Sequence, residues 1–282
     1  MPSVVPRWTS PFRTTCYGDE TVRQLLLQER IIGQHHVFHG GLRLVKEVAS
    51  LALPRHPAPG TRVLNVGGGF GGFAFHLADT EPNVSVAVCD PNEAVASEAR
   101  LRLSQHFPHL SRRVSIQCSG VDELEEPPGS WDAIVCFELN SFHMSGGGGS
   151  RRTLLMDKFK RWLSPGGKLV LVDYCWSCRV LERLQEAALA DGGGGSAAMS
   201  RDDYATCLKA VFSHVWVDDR TDSHLGHIRD DLGRLKHFLP GSRREERLKA
   251  DCVAQWRNLE KLLSDETLTW ILACATSPSA RN

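Results

Sequence analysis

Val63–Leu64–Asn65–Val66–Gly67–Gly68–Gly69–Phe70–Gly71–Gly72–Phe73 decides the fold of this chain. Apolar residues on both sides of Asn65 make a short buried strand. The glycines after it let the backbone turn sharply and let another group approach closely. Phe73 then opens a helical run. The next apolar stretch, Val84–Ser85–Val86–Ala87–Val88–Cys89, ends on Asp90. Strand, glycine turn, helix, strand and acid make one βαβ unit.

In an α/β sheet this unit holds an adenosine-containing ligand. The glycines admit the ligand, and the acid accepts hydrogen bonds from ribose hydroxyls. Gly67 to Gly72 satisfies G-x-G-x-x-G, which alone is a weak sign of a dinucleotide.

Further strands are expected at Val114–Gln117, Asp132–Phe137 and Lys168–Asp173, after Arg62–Val66 and Val84–Cys89. Helices are expected between them at Gly71–Ala78, Glu93–His106 and Arg152–Leu163. This alternation predicts an α/β fold, a doubly wound Rossmann-like sheet. Two helices, Glu20–Gly33 and Gly41–Leu53, precede the first strand. Helices near Cys178–Leu189 and Arg201–Val211 follow the fifth. A sixth strand at His214–Val217 and a seventh at Thr267–Ala275 form the antiparallel pair that finishes such a sheet. Helices near Ser223–Phe238 and Arg244–Leu263 lie between them. The expected organisation is lid helices over residues 1–60, then a core over 61–282 with a helical lid at about 219–264.

Lysine plus arginine and aspartate plus glutamate balance at 33 each, so no global field attracts nucleic acid. No basic stripe interleaved with aromatics is present to stack bases. No apolar run approaches the roughly 20 residues that span a bilayer. Met1 to Gly18 contain Arg7 and Arg13 but no apolar stretch of a secretory signal. Nine cysteines, odd in number and scattered, read as reduced thiols of a cytoplasmic protein. Cys175–Trp176–Ser177–Cys178 has CxxC spacing but no second ligand pair, so no metal is expected there or at His35, His36 and His39.

Gly146–Ser150 and Gly192–Ser196 are the same pentapeptide, Gly-Gly-Gly-Gly-Ser. Such runs act as coil. Their repetition reads as a synthetic linker standing in place of two loops.

Three features select S-adenosylmethionine over a dinucleotide. Helices precede the first strand. Trp131–Phe137 is a fourth strand whose end faces the ligand. Trp162–Leu163–Ser164–Pro165–Gly166–Gly167–Lys168 is a helix end and Pro-Gly-Gly turn leading into a fifth strand that ends at Asp173. The combination resembles class I S-adenosylmethionine-dependent methyltransferases. The resemblance implies that Gly67, Gly69 and Gly71 pass under the methionine moiety. It places Asp90 and Pro91 at the ribose, Gly120, Val121 and Asp122 at the adenine, and Phe137 at the cofactor-facing end of the fourth strand. Asn65 departs from the family, which carries an acid there. An amide keeps hydrogen bonding but loses the attraction for cationic groups.

Outside the core, Tyr17–Gly18–Asp19–Glu20, Gly33, His39–Gly40–Gly41, Phe142–His143, Asp173–Tyr174–Cys175, Asp203–Tyr204, and Trp256 and Trp270 flanking Lys261 occur in an order that resembles phosphoethanolamine N-methyltransferases. The resemblance implies N-methylation of phosphoethanolamine or a similar amine. It implies a catalytic pair of Tyr17 and His143, cofactor contacts from His39 and Gly40, and substrate contacts from Tyr174. A general base suits an amine that arrives protonated, and an aromatic pocket suits a quaternary ammonium. The chain also departs from this family. It has only three tyrosines, Gln28 stands where the first lid helix carries one, and Asp191–Ser196 lacks the family's phosphate ligands. Arg179, Lys209 or Lys261 is left to meet a phosphate. The alternatives are O- or C-methylation of a natural product or lipid, and a non-catalytic scaffold that binds the cofactor. Oligomeric state is not readable from the sequence.

Overall fold

The computed structural model describes residues 19–33, 35–138, 149–182 and 199–279. Seven strands, β1 (Thr61–Val66), β2 (Val84–Asp90), β3 (Val114–Cys118), β4 (Trp131–Phe137), β5 (Leu163–Trp176), β6 (His214–Asp219) and β7 (Leu268–Thr276), form one sheet. Their order is β3-β2-β1-β4-β5-β7-β6. β1 to β5 run parallel, and β7 is antiparallel to β5 on one side and β6 on the other. This is the expected Rossmann-like architecture, with the order reversing between β1 and β4.

Successive side chains of a strand face opposite sides, so a sheet covered on both faces needs apolar residues throughout. β4 shows this directly. Ala133, Val135 and Phe137 join one core, and Ile134 and Cys136 join the other. The first core lies under α1 (Asp19–Ile32), α2 (Gly41–Ala52) and α3 (Gly72–Thr80). It continues under α7 (Thr221–His237) and α8 (Arg243–Ser264). The second lies under α5 (Gly149–Trp162) and α6 (Arg201–Val211). α4 (Glu93–His106) connects β2 to β3 and is capped by Asn92, whose side chain accepts from the Ala94 and Val95 amides. Ser200 and Asp203 form a reciprocal capping box on α6.

Two differences from the sequence reading have physical causes. β5 begins at Leu163 rather than Lys168, because Leu163 pairs with Trp131 before a register shift. The Pro165–Gly166–Gly167 turn therefore sits inside the strand as an irregularity. A Cβ on Gly167 would lie 2.9 Å from the Ser164 carbonyl oxygen and 3.1 Å from that of Asp132. A short 3-10 turn, Pro108–Leu110, also links α4 to β3. The expected helix at Cys178–Leu189 is described only over 178–182. The pentapeptide repeats lie outside the described residues except Gly149 and Ser150, which open α5.

All described cysteines are free thiols. No described helix is long and apolar enough to cross a membrane. No metal-holding cluster occurs among the described residues.

Phe159 of α5 is fully buried and meets Trp162 edge-on at 6.0 Å. Truncation of a buried Phe leaves a cavity costing about 3–5 kcal/mol. Phe159→Ala is expected to lower unfolding free energy by that amount in urea titration.

Candidate functional site

The turn between β1 and α3 is fixed by close contacts. The Gly67 and Gly68 amides donate to the Cys89 carbonyl at 2.9 and 3.3 Å. A Cβ on Gly68 would lie 2.2 Å from Val88 Cγ1, so only glycine lets β1 turn beside β2. Gly67, Gly69 and Gly71 have φ of 66°, 54° and 86°. On the outer side, a Cβ on Gly72 would lie 2.2 Å from the His35 carbonyl oxygen, so the segment after α1 runs across the turn.

Asp90 ends β2 at 5% exposure. Its Oδ2 accepts from the Gly69 amide at 3.1 Å and its Oδ1 from the Asn92 amide at 3.0 Å. Burial nevertheless pushes its carboxyl up to about 6, the two amides only partly offsetting the lost hydration. Each carboxylate oxygen can accept a second bond. Asn65 is fully buried in β1, and its Nδ2 donates to the Val135 carbonyl at 3.5 Å. Its Oδ1 has no partner. That oxygen lies 3.0 Å from where a Gly68 Cβ would be, so it points at the turn. A buried acceptor without a donor is costly. A ligand carrying a cationic donor would satisfy it. Pro91 and Gly120 adjoin, the Gly120 Cβ position lying 4.0 Å from Pro91 Cβ. Val121 is buried beside them and Asp122 is exposed.

The ends of β4 and β5 carry a second polar group. Asp173 Oδ1 accepts from the Tyr174 amide at 2.8 Å, and its Oδ2 from the Tyr204 hydroxyl at 2.6 Å. The Tyr174 hydroxyl and His224 Nε2 are hydrogen-bonded at 2.8 Å. His224 of α7 is 1% exposed and stacks on Trp270 at 3.9 Å, 8° from parallel. Burial holds its imidazole well below the usual histidine range, so it is neutral, and its Nδ1 has no partner. Burial and the charges of Glu138 and Asp173 push the Tyr174 phenol well up. Glu138, just past β4, has φ of 53°, a left-handed conformation that costs a non-glycine residue about 1–3 kcal/mol. Desolvation and the Asp173 charge push its carboxyl up to about 8.

The structure places Asn65, the glycine turn, Asp90, Pro91 and Gly120–Asp122 along the carboxyl ends of β1, β2 and β3. Phe137 is buried, stacked on Phe38 at 4.6 Å. His39 and Gly40 lie against α7. His39 Nδ1 is 2.8 Å from Asp231 Oδ2, and a Gly40 Cβ would lie 2.9 Å from His227 Nδ1. Gln28 faces Cys252 of α8. Arg179, Lys209 and Lys261 are exposed. Tyr17 and His143 lie outside the described residues. His224, Asp231 and Glu138 escape sequence reasoning. The two α7 residues are far along the chain from their partners, and Glu138 gives no local sign of its left-handed backbone.

Residues 64–169 match a family model described as a methyltransferase domain. The chain carries a methyltransferase domain. Among curated relatives, phosphoethanolamine N-methyltransferase 1 of Arabidopsis thaliana is 29% identical over 254 residues, covering 86% of this chain and 47% of its own. The chain thus spans about half the length of the curated relatives it matches. Among solved structures, Haemonchus contortus phosphoethanolamine N-methyltransferase 2, in complex with phosphomonomethylethanolamine and S-adenosylhomocysteine, superposes with TM-score 0.76 at 19% identity. The match covers 95% of this chain and 60% of that one. The [4+2]-cyclase SpnF superposes with TM-score 0.70 at 18% identity, covering 93% and 96%. The fold is therefore that of class I S-adenosylmethionine-dependent methyltransferases. The site of the methyltransferase domain fits that cofactor: a glycine turn in which Gly68 and Gly72 have no room for a Cβ, a buried acid beside it, and an unpaired amide oxygen directed into the turn.

Two outcomes follow. A charge-assisted hydrogen bond is worth about 1.5–3 kcal/mol, so Asp90→Ala should weaken S-adenosylhomocysteine binding at least ~10-fold in calorimetry. Only the ionised carboxylate accepts at both oxygens, so wild-type affinity should also fall as pH drops below about 6. For His224, the depressed folded pKa means that stability is lost as pH falls below the unfolded value of about 6.5, by up to ~1.4 kcal/mol per pH unit. The stability advantage of wild type over His224→Phe should shrink on that side in urea titrations, because the variant has no imidazole to protonate.

Proposed function

We propose that this chain transfers the methyl group of S-adenosylmethionine to the nitrogen of a small amine, with phosphoethanolamine as the leading acceptor. The observation that carries this reading is the extent of the match to phosphoethanolamine N-methyltransferases. It spans 254 residues, far beyond residues 64–169 of the methyltransferase domain, and so takes in elements flanking the site.

The bound cofactor supplies an electrophilic sulfonium methyl. The chain's residues do the rest. Asp90 accepts the ribose hydroxyls, and Asn65 Oδ1 accepts from the ammonium of the methionine end. The glycine turn lets both come close. Residues 1–60 and about 219–264 act as covers that exclude water and hold the acceptor near the methyl. Tyr17 and His143, which match the catalytic positions of the family the sequence resembles, serve the transfer as general base and its partner. The Tyr174 hydroxyl, fixed by His224, contacts the acceptor. A cytoplasmic setting agrees with free thiols at every described cysteine.

The exposure of Arg179 and Lys261 favours a second reading, in which the acceptor carries no phosphate. A phosphate buried without cationic or hydrogen-bonding partners binds poorly.

The test is release of S-adenosylhomocysteine with phosphoethanolamine and its mono- and dimethyl forms. Turnover that falls ~10²-fold or more in Tyr17→Phe and His143→Ala supports the reading. Confirmed cofactor binding without turnover on any of the three, but with turnover on an unphosphorylated amine, selects the second.

A further inference from the structure

The helical pair between β6 and β7 ends in a tip away from the glycine turn. His237 closes α7 roughly 20 Å along the helix from His224, at about 1.5 Å per residue. Phe238 to Ser242 then carry the chain into α8, and both ends of this turn are pinned. Lys249 Nζ donates to the Lys236 and Phe238 carbonyls at 3.3 and 2.7 Å. Arg30 of α1 lies over the Phe238 ring at 4.7 Å. The Gly241 amide donates to the Glu245 carboxylate at 2.6 Å, and the Ser242 hydroxyl accepts from the Glu245 amide at 3.2 Å. Between these ties Leu239 is 87% exposed, the most exposed large apolar side chain among the described residues. A pinned turn that holds a leucine in water forgoes the stabilisation that burial would give it.

Charge gathers around Leu239. Between residues 234 and 257 the chain carries seven arginines and lysines against three acids, although the whole sequence is neutral. Lys236, Arg243, Arg247 and Arg257 are exposed, and none of them has an ion-pair partner among the described residues. Arg243, Arg247, Ala250, Ala254 and Arg257 recur at helical spacing and are all exposed, so they form one outer face of α8. Pro240, Ala250, Val253 and Ala254 join Lys249 and Arg257 in lining a groove of about 450 Å³ beside it, with Glu246 as its single acid.

We propose that this tip and the outer face of α8 dock the protein on an anionic phospholipid surface. Leu239 enters the boundary between headgroups and acyl chains, and the cations meet the lipid phosphates and carboxylates. Arginine and lysine suit this place, because their stems lie along apolar surface while the charged heads stay among the headgroups. Basic side chains close to an anionic leaflet are drawn to it, and an apolar anchor adds to that attraction. A protein partner fits the tip less well. One leucine among cations supplies neither the apolar core nor the aromatic anchors of a stable interface, whereas a bilayer supplies apolar depth itself. The docking does not depend on which acceptor the site methylates.

The experiment is sedimentation of the whole chain with vesicles of phosphatidylcholine alone and of phosphatidylcholine with about 30 mol% phosphatidylserine, at low and high salt. Wild type is expected to bind the anionic vesicles at least ~10-fold more strongly than the neutral ones, and to lose most of that preference at high salt. Arg243→Ala combined with Arg247→Ala should weaken binding ~10-fold or more. Leu239→Ser should weaken it ~5-fold or more. Arg243→Lys combined with Arg247→Lys keeps the charge and should bind within about 3-fold of wild type. Unfolding midpoints in urea should match wild type in every variant, so that the losses report the surface and not the fold. Three results each overturn the proposal: wild type that stays in solution with anionic vesicles, wild type that binds both vesicle types alike, and alanine variants that sediment as wild type does. Self-association that Leu239→Ser abolishes, without vesicle binding, assigns the tip to a second copy of the chain and overturns it as well.

Discussion

The contact that the rest of the structure depends on is between Gly68 and Val88. A side chain at 68 would have its first carbon 2.2 Å from Val88 Cγ1. With hydrogen there instead, the chain leaving β1 turns against the end of β2 and hangs its amides on Cys89. Gly69 then faces Asp90, and its amide binds the carboxylate directly. The glycine turn and the buried acid form one unit. The turn orients the acid, and the acid helps fix the turn. Burial of Asp90 is the cost of that closeness, visible as a carboxyl raised to about 6.

Much of the remaining polar burial lies along the same sheet ends. Parallel sheets bind ligands at the carboxyl ends of strands, near the point where strand order reverses. Here the reversal separates β1 from β4. On one side stand the turn, Asp90 and the Pro91–Gly120 contact. On the other stand Glu138, Asp173 and Tyr174, tied to α7 through His224. The segment after α1 bridges the two sides. Its His35 carbonyl lies over Gly72, and four residues on, His39 is paired with Asp231 of α7. Asp231 also accepts from Arg234, which donates to the Ile32 carbonyl at 3.3 Å. Breaking a buried pair by removing one member leaves the other uncompensated. The segment after α1 and α7 therefore hold one another in place.

The sequence makes one half of this far more legible than the other. Strands β1, β2 and β4 announce themselves as apolar runs because both faces of the sheet are covered there, while the edge strand β3 shows alternation instead. The glycine turn and Asp90 are local signals within one βαβ unit. The start of β5 is hidden because Pro165–Gly166–Gly167 reads as a turn, yet Leu163 finds a partner in Trp131 through a register shift. The polar group at the ends of β4 and β5 is assembled from distant segments. Tyr174 is legible in its Asp-Tyr-Cys context, but His224 lies 50 residues further along the chain, on a helix whose pattern reports only amphipathicity. Arg179 and Lys261 show the converse: charge type suggests a phosphate ligand, and exposure decides against a buried role.

Fold alone leaves the reaction open, since the SpnF cyclase shares this architecture across nearly its whole length. What the structure adds is where an acceptor of hydrogen bonds is held ready. Asp90 ends β2 with each oxygen already on one backbone amide, and burial raises its carboxyl to about 6. Each oxygen can accept a second bond, and donors arriving there favour the ionised carboxylate. Ligand binding at the glycine turn and ionisation of Asp90 therefore strengthen one another.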